Sequence, residues 1–209
     1  MAYTIYGDLG TGAFSSEASL AEAGADYAFE RISIKENDQK KPAFLAINPS
    51  GKMPALKLPD GEIVTESLAI LLTVADRFPR AELLPASGSD ARAEAHRWLS
   101  YVAGEIYPMV EISDYPERFA STEAETLRKH AQTRIQENLI VMDGACKSPW
   151  FLSAFSVVDI YVAMLTRWRG SIGRNWERER HIPKLMALAE KVAVRERLAP
   201  VWQRHFVKK

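Results

Sequence analysis

The residues best suited to chemistry lie in one stretch, residues 48–79. Met53-Pro54 opens a short strand there, and Thr65-Glu66-Ser67 stands where a helix begins, with Thr65 as the expected N-cap. The first turn of a helix offers free N–H groups and the positive end of the helix dipole, which favour an anion by about 0.3–1 kcal/mol. The stretch therefore predicts a pocket for a small peptide that carries a carboxylate at one end. Ordinary helix capping is the structural alternative for the same residues.

These residues need a scaffold, and residues 1–80 predict one of strands and helices. Apolar and polar residues alternate where strands are expected, and apolar residues recur at helical spacing where helices are expected. The predicted elements are a strand over 3–6, a helix over 15–23 that ends at Gly24, a strand over 29–34, two strands over 55–58 and 62–64 around the turn at 59–61, and a helix from 67. A β-α-β unit followed by a hairpin and a helix predicts an α/β thioredoxin-like N-terminal domain.

The rest of the chain reads as helical. Residues 80–90 are rich in Pro, Gly and Ser, which is typical of a linker, and long helices are expected over 91–105 and 123–146. Pro108 and Pro116 are expected to kink or break the first of these regions. Ser156 and Asp159 form a capping box before an apolar helix, and Pro183 suits the first turn of a helix through Val194. The predicted organisation is a domain over 1–80, a linker over 81–90 and an all-α C-terminal helical domain over 91–209.

Charge and composition exclude several function classes. The chain has 209 residues, of which 27 are basic and 27 acidic. A nucleic-acid-binding protein needs a basic surplus to neutralise phosphates, so we expect no nucleic-acid partner. No segment approaches the roughly 20 apolar residues that span a bilayer, and residues 1–8 lack the pattern of a signal peptide. The lone Cys146 cannot form an intrachain disulfide, which favours a reducing compartment. We therefore expect a cytoplasmic protein without a membrane partner.

The motifs of both halves resemble the glutathione transferase family. Three features carry the resemblance: the sequence NPSGKMP over 48–54, the helix start at Thr65-Glu66-Ser67, and the capping box at Ser156. The resemblance covers essentially the whole chain and is strongest to the bacterial-type cytosolic members. It implies a homodimer that uses glutathione as a co-substrate and needs no metal. The four histidines are scattered without metal-ligand spacing.

The resemblance also implies how glutathione is held. A cis peptide bond before Pro54 would turn the Met53 N–H and C=O toward an extended peptide. Ser67 would hold the γ-glutamyl carboxylate, Glu66 would face the ligand's ammonium group, and Lys52 would meet the glycine carboxylate. Met53 departs from the family's usual valine.

Activation of the glutathione sulfur falls, by the same resemblance, to residues 7–16, after the first strand. A free thiol titrates near pH 8.5, and lowering its pKa by two units takes about 2.7 kcal/mol. Relatives use a Tyr, Ser or Cys here, whereas this chain has Thr11 where a Ser is usual. Thr11 is therefore the first catalytic candidate, helped by the Gly12-Ala13 N–H groups, with Ser15 second and Tyr6 third. The alternative is that none of these groups activates the thiol strongly.

A second substrate, a small apolar electrophile, is expected against the helical domain. Aromatic side chains at helical spacing could line an apolar pocket, although core packing is their ordinary role. The residues expected to line the pocket are Trp98, Tyr101, Tyr107, Met109 and Trp168.

The sequence thus predicts a glutathione transferase that joins the glutathione thiolate to a small apolar electrophile, with a role in detoxification. Two alternatives stay open. One is a non-catalytic glutathione-binding module, and the other is a different glutathione-dependent reaction on the same scaffold, such as dehalogenation or ether cleavage. A disulfide oxidoreductase is excluded because it needs a thiolate in residues 7–16, and Cys146 is expected to be a buried residue of the helical domain.

Overall fold

Four strands from the first part of the chain form one mixed sheet in the order β2-β1-β3-β4. The structure is a computed structural model and describes residues 2–207. The strands are β1 (Tyr3–Gly7), β2 (Tyr27–Arg31), β3 (Ala55–Lys57) and β4 (Ile63–Thr65). Strand β1 runs parallel to β2 and antiparallel to β3, and β3 runs antiparallel to β4. With the helices between them, these strands give the predicted thioredoxin-like arrangement.

Three helices accompany this sheet: α1 (Ala13–Ala23), α2 (Pro42–Leu45) and α3 (Ser67–Arg77). Helix α1 starts two residues before the predicted Ser15 and ends, as predicted, at Gly24, whose φ is 70°. Gly7 allows the end of β1 to approach α1 closely. A Cβ at Gly7 would lie only 2.2 Å from the Cβ of Ala13, so this position accepts no side chain without a shift of the helix.

The largest difference from the predicted element boundaries is at the end of β2, and one predicted helix cap also differs. Strand β2 ends at Arg31 and not at Ile34, because the Ile34 amide donates a 2.9 Å hydrogen bond to the Asp8 carboxylate. The prediction that Thr65 caps α3 is wrong. Thr65 is paired with Ala55 in the sheet, and Glu66 occupies the N-cap position.

Helices make up most of the chain after Leu84. They are α4 (Asp90–Tyr101), α5 (Tyr107–Asp114), α6 (Ala124–Ala145), α7 (Val157–Leu165), α8 (Arg169–Ile172), α9 (Arg178–His181), α10 (Pro183–Ala193) and α11 (Ala199–Phe206). A wide π-helical turn joins α4 to α5, and Pro108 lies in the first turn of α5, where its missing N–H is tolerated. The capping box is confirmed, since the Ser156 amide donates to Asp159 Oδ2 at 2.8 Å and the Val158 amide to Ser156 Oγ at 3.2 Å.

The chain forms two compact units. One contains the chain up to Leu84 together with the chain from Val192 onward, and the other spans Pro85–Lys191. The boundary at Leu84 falls inside the predicted linker, but the C-terminal residues belong with the sheet and not with the preceding helices. They do so because Phe14 of α1 packs against Trp202 and Phe206 of α11, at ring-centroid distances of 5.5 and 4.8 Å. Within residues 2–207, no helix combines the length and apolar character that a bilayer crossing requires.

Candidate functional site

The strand register brings three loop segments to the same end of the sheet. Tyr6 of β1 pairs with Ala55 of β3, and Ala55 pairs with Thr65 of β4. Because neighbouring strands here run antiparallel, the chain leaves β1 and β4 at the end of the sheet where it enters β3. Residues 7–12, Met53-Pro54 and Glu66-Ser67 therefore meet at one edge. These are the segments in which the sequence predicted the binding and sulfur-activating residues.

A buried asparagine shapes the loop that enters β3. Asn48, which is 5% exposed, accepts hydrogen bonds from the Ser50 amide and hydroxyl and donates from Nδ2 to the Lys52 carbonyl at 2.7 Å. The peptide bond between Met53 and Pro54 is cis, which confirms that prediction. Met53 packs on a small core cluster of Tyr6, Phe44 and Ala55, while Lys52 is exposed. Asn48 thus fixes the loop from which Lys52 and Met53 are presented.

The chain leaves β4 through an unusual backbone conformation at Glu66. Its φ of 65° and ψ of 117° lie in a region that side-chain-bearing residues rarely adopt, at a cost of about 1–3 kcal/mol. Glu66 is exposed, and the next residue, Ser67, is the buried first residue of α3. Backbone strain of this kind is retained at ligand sites, where it aims adjacent groups in different directions. Here it places a carboxylate in solvent beside a hydroxyl at a helix start.

The Thr11 hydroxyl bridges two backbone groups of its own loop. It donates to the Asp8 carbonyl at 2.7 Å and accepts from the Ala13 amide at 3.2 Å. A hydroxyl has one proton, so Thr11 must turn away from Asp8 before it can donate to a bound sulfur. Ser15 is fully buried and donates to the Gly12 carbonyl at 2.9 Å, which points its hydroxyl into α1.

Tyr6 is the third sequence candidate, and it lies in the core cluster with 8% of its surface exposed. Burial, and to a smaller extent the charge of Glu30, raise the pKa of its hydroxyl. A phenol held in this way stays protonated at neutral pH.

Asp8 ties the same loop to the chain beyond β2. Its carboxylate accepts from Arg31 Nε at 2.8 Å, from the Ile34 amide at 2.9 Å and from the Leu9 amide at 2.9 Å. Burial alone would raise the pKa of Asp8, but these hydrogen bonds and the charge of Arg31 outweigh it, so the pKa lies below its ordinary value. Asp8 is therefore ionised at neutral pH and acts as a fixed anchor.

A second anchor comes from the C-terminal helix. The Gly10 amide donates to Nδ1 of His205 at 3.1 Å, and Nε2 of His205 lies 2.7 Å from the Glu17 carboxylate. Both side chains are fully buried. The sequence analysis did not identify His205 or Glu17, because residues so far apart along the chain leave no local pattern. Asp8 did have a signal, namely a charged residue directly after a predicted strand.

The aromatic residues predicted to line a second pocket lie in the helical unit as two pairs. Trp98 is 2% exposed and packs its ring against Tyr101 and Phe151. The Tyr101 hydroxyl donates to Asn138 at 3.0 Å. The ring centroids of Tyr107 and Trp168, in the second pair, lie 5.4 Å apart. Both members of the second pair are partly exposed, whereas Trp98 belongs to the core of its unit.

Comparison with known proteins relates the chain to one family throughout its length. A family model for the glutathione S-transferase N-terminal domain matches residues 17–77. The glutathione S-transferase GstA of Escherichia coli O157:H7 is 28% identical over 198 residues, which cover 91% of this chain and 94% of that protein.

Two solved structures share the fold across nearly the whole chain. A glutathione transferase homolog from Sulfitobacter, solved with bound glutathione, is 25% identical, with a TM-score of 0.90 and 99% coverage of both chains. A sphingomonad glutathione S-transferase in complex with glutathione is 28% identical, with a TM-score of 0.82 and coverage of 98% of this chain and all of that one.

Proposed function

Because this chain is similar to glutathione S-transferases over nearly its whole length, we propose that it belongs to their family and binds glutathione at the sheet edge formed by residues 7–12, 53–54 and 66–67. We further propose that it joins the glutathione thiolate to a small apolar electrophile. The pairing of Tyr6 with Ala55 and of Ala55 with Thr65 is the single observation that carries the proposal. It gathers a peptide-pairing segment, an anion-binding helix start and a hydroxyl-bearing loop at one place.

Each part of glutathione is bound by a different group of residues in this site. The cis bond before Pro54 supports pairing of the Met53 backbone with the extended peptide. Ser67, at the start of α3, binds the γ-glutamyl carboxylate, and Glu66 lies beside the ammonium group of the same residue. Exposed Lys52 binds the glycine carboxylate. Three anchor points along a tripeptide fix its sulfur in position.

The sulfur lies against the loop of residues 7–12 and is held there as a thiolate. Thr11 turns its hydroxyl from the Asp8 carbonyl to the sulfur, with the Gly12-Ala13 amides nearby. Thr11 thereby loses a hydrogen bond to a neutral carbonyl, worth about 0.5–1.5 kcal/mol. It gains a hydrogen bond to the thiolate anion, worth about 1.5–3 kcal/mol. The gain favours the thiolate but is smaller than the roughly 2.7 kcal/mol needed for two pKa units, so the amides must supply the rest.

In the transfer step, the thiolate attacks an electron-poor carbon of the second substrate. A carbon–sulfur bond forms, and the electron pair it displaces leaves with a departing group or moves onto the acceptor. The protein contributes orientation of the two reactants and stabilisation of the sulfur's charge. Tyr107 and Trp168 are the partly exposed aromatic pair that suits an apolar substrate. We also propose a cytoplasmic homodimer with a role in detoxification.

A non-catalytic glutathione-binding role is the second candidate, and one observation favours it. The Thr11 hydroxyl proton is already committed to the Asp8 carbonyl. If that bond persists with glutathione bound, the site recognises the peptide and leaves its thiol protonated. Dehalogenation and ether cleavage are alternatives to conjugation that use the same thiolate.

The deciding experiment combines calorimetric titration with thiolate absorbance. Wild-type protein is expected to bind glutathione at millimolar concentration or below, and to lower the pKa of the bound thiol. The dipeptide Cys-Gly, which lacks the γ-glutamyl group, is the control ligand. Ser67→Ala is expected to weaken glutathione binding roughly 10- to 100-fold, the loss of one hydrogen bond to a charged group, while leaving Cys-Gly binding unchanged.

Three outcomes decide among the candidates. Binding with a lowered thiol pKa supports the transferase. Binding with an unaltered thiol pKa, and no turnover of a chlorinated nitrobenzene, supports the binding module. Absence of binding at millimolar glutathione rejects both.

A further inference from the structure

We propose that His205 is a positioning residue for the sulfur-activating loop. Through Nδ1 it fixes the amide of Gly10, next to Thr11, and thereby sets how residues 10–12 are presented to the glutathione sulfur. This inference rests on the proposed function, because it assigns a role in that same site. It makes the C-terminal helix a part of the thiol-activating machinery.

The surroundings of His205 hold its ring in one orientation. The side chain has no exposed surface, and its ring contacts Phe14 and Phe29 edge-on, with ring centroids 5.4 and 5.6 Å away. The two polar contacts described above, to the Gly10 amide and to Glu17, lie at opposite nitrogens of the ring. A ring packed between aromatic faces and bonded at both nitrogens cannot rotate without breaking all of these contacts.

The hydrogen bonds determine which nitrogen carries the proton. An amide N–H can donate to Nδ1 only if that nitrogen is unprotonated. The proton of the neutral ring therefore resides on Nε2 and is donated to the Glu17 carboxylate. The other neutral tautomer, protonated at Nδ1, would place an N–H donor against the Gly10 amide, so it is excluded. A histidine whose tautomer is set by a carboxylate on its far side is a recurring way to position the near-side nitrogen.

Charge around the ring favours this neutral form. Burial, the nearby Arg204 guanidinium and, in the opposite direction, the Asp8 carboxylate set the pKa of His205 at about 4. The Glu17 carboxylate also favours the charged ring, but it is paired with Arg204 and accepts a hydrogen bond from the Tyr27 hydroxyl at 3.1 Å. At neutral pH the ring is uncharged, and Nδ1 is available to Gly10.

The hydrogen bond to Gly10 restrains the middle of a loop whose two ends are already fixed. On one side, Asp8 is tied to residues 31–34 by its carboxylate, and on the other side Ala13 begins α1. Gly10 lies between them with a φ of 73°, a conformation that glycine adopts readily. Without an acceptor for its amide, Gly10 would be the pivot about which Thr11 shifts. His205 supplies that acceptor.

Two substitutions separate the contact to Gly10 from the contact to Glu17. In His205→Asn, the side-chain oxygen can take the place of Nδ1 and accept from Gly10, but the side chain is too short to reach Glu17. In His205→Gln, the amide nitrogen can take the place of Nε2 and donate to Glu17, but the side chain provides no acceptor in the place of Nδ1. Arg195→Gln is the matched control, because it removes an ion pair between the C-terminal segment and Glu22 of α1 without touching the loop.

The readout is the thiol pKa of bound glutathione, followed by thiolate absorbance, together with kcat and the KM for glutathione. We expect His205→Gln to raise that pKa by about one unit, from about 6.5 to about 7.5, which lowers the thiolate fraction at about pH 7 about threefold. His205→Asn and Arg195→Gln are expected to stay within about 0.3 units of wild type. None of the three variants alters residues 52–54 or 66–67, so the KM for glutathione is expected to change less than twofold in His205→Asn and Arg195→Gln. In His205→Gln it is expected to rise about threefold at most, because the lost stabilisation of the thiolate also weakens binding at neutral pH. Equal thiol pKa values in the Gln and Asn variants overturn the proposal, since they show that the acceptor for Gly10 does not matter.

A measurement on the wild-type protein covers the case in which a variant fails to fold. Nitrogen-15 NMR of the His205 ring is expected to show the Nε2-protonated neutral tautomer at neutral pH, and the Gly10 amide is expected to exchange slowly with solvent. A ring protonated at Nδ1, or a rapidly exchanging Gly10 amide, overturns the proposal. Failure of the proposed function is distinct, because wild-type protein would then bind no glutathione while its ring tautomer stayed as described.

Discussion

The imidazole of His205 accepts a hydrogen bond from the amide of Gly10 at 3.1 Å, across a separation of 195 residues. This contact joins the last helix of the chain to the first loop. Together with the packing of Phe14 on Trp202 and Phe206, it ties the chain from Val192 onward to the compact unit that contains the sheet. A deletion of the C-terminal helix is therefore expected to alter the loop that we propose to face the glutathione sulfur, and not only the stability of the fold.

Replacing Thr11 by valine tests the hydroxyl directly. If that hydroxyl donates to the thiolate, Thr11→Val loses a hydrogen bond to a charged group worth about 1.5–3 kcal/mol, and kcat is expected to fall roughly 10- to 100-fold. Thr11→Ser keeps the hydroxyl and is expected to stay near wild type. Ser19→Ala is the control, since Ser19 also donates to a backbone carbonyl of α1 but lies further along the helix. Unchanged turnover in Thr11→Val removes Thr11 from the catalytic role.

The strained backbone at Glu66 predicts a conflict between stability and binding. Glycine adopts a φ of 65° readily, so Glu66→Gly is expected to release about 1–3 kcal/mol of strain, offset by roughly 0.5–1 kcal/mol of added chain entropy. The variant should unfold at a higher denaturant concentration and bind glutathione more weakly. Glu66→Gln, which keeps the strain but not the charge, is expected to match the affinity loss at wild-type stability. A Glu66→Gly variant less stable than wild type would contradict the assignment of strain.

The contact between Gly7 and Ala13 predicts a compensating pair of substitutions. Gly7→Ala places a methyl group 2.2 Å from the Ala13 methyl, and such overpacking typically costs about 1–3 kcal/mol. Ala13→Gly removes the obstructing methyl, so the double variant is expected to recover most of the stability lost by Gly7→Ala. Urea denaturation of both single variants and the double variant measures the coupling. Additive losses would show that the strand and the helix do not meet at these two atoms.

Asp159 predicts how stability changes with pH. Burial raises its pKa to about 6, although the Phe151 and Ser156 amides and the Ser156 hydroxyl oppose that rise by donating to it. The folded state therefore binds a proton more tightly than the unfolded state does. Its contribution to stability is complete below about pH 4 and is lost as the pH rises through about 6.

The measurement compares wild type with Asp159→Asn, which does not titrate. The difference between their unfolding free energies is expected to fall by about 3 kcal/mol or less from about pH 4 to pH 7. His205 contributes in the opposite sense, since its lowered pKa makes stability decline as the pH falls from about 6.5 toward 4. The contribution of His205 is the same in wild type and in Asp159→Asn, so it cancels in the difference between their unfolding free energies. A difference that is independent of pH would show that the Asp159 pKa is unaltered by folding.

Cys146 is expected to resist thiol reagents in the folded protein. It is 4% exposed, and burial raises the pKa of its thiol. Because the thiolate is the reactive form, labelling of the native protein is expected to be at least roughly 100-fold slower than labelling in denaturant. Labelling of native protein at the rate of a free cysteine would contradict both the burial and the absence of a redox role.

The sequence by itself determined the resemblance to glutathione transferases, the strand and helix order, and the local patterns of the candidate peptide-binding segment. Met53-Pro54, the helix start at Ser67 and the capping box at Ser156 are set by residues within a few positions of one another, so their patterns can be read along the chain. The strand after residue 27 was placed less well, because the Asp8 carboxylate takes up an amide that the local pattern assigns to the strand.

Tertiary structure alone decided what supports the candidate sulfur-activating loop. Nothing near Gly10 in the sequence indicates that its amide is bonded to His205, or that Glu17 holds the opposite side of that ring. The sequence also does not reveal that the Thr11 hydroxyl donates to the Asp8 carbonyl, because this bond depends on the path of the loop between Asp8 and Ala13. Hydrogen bonds are directional and short-ranged, so only the folded chain determines which groups meet. The sequence therefore predicted glutathione as the ligand, and the structure identified the groups that would set its reactivity.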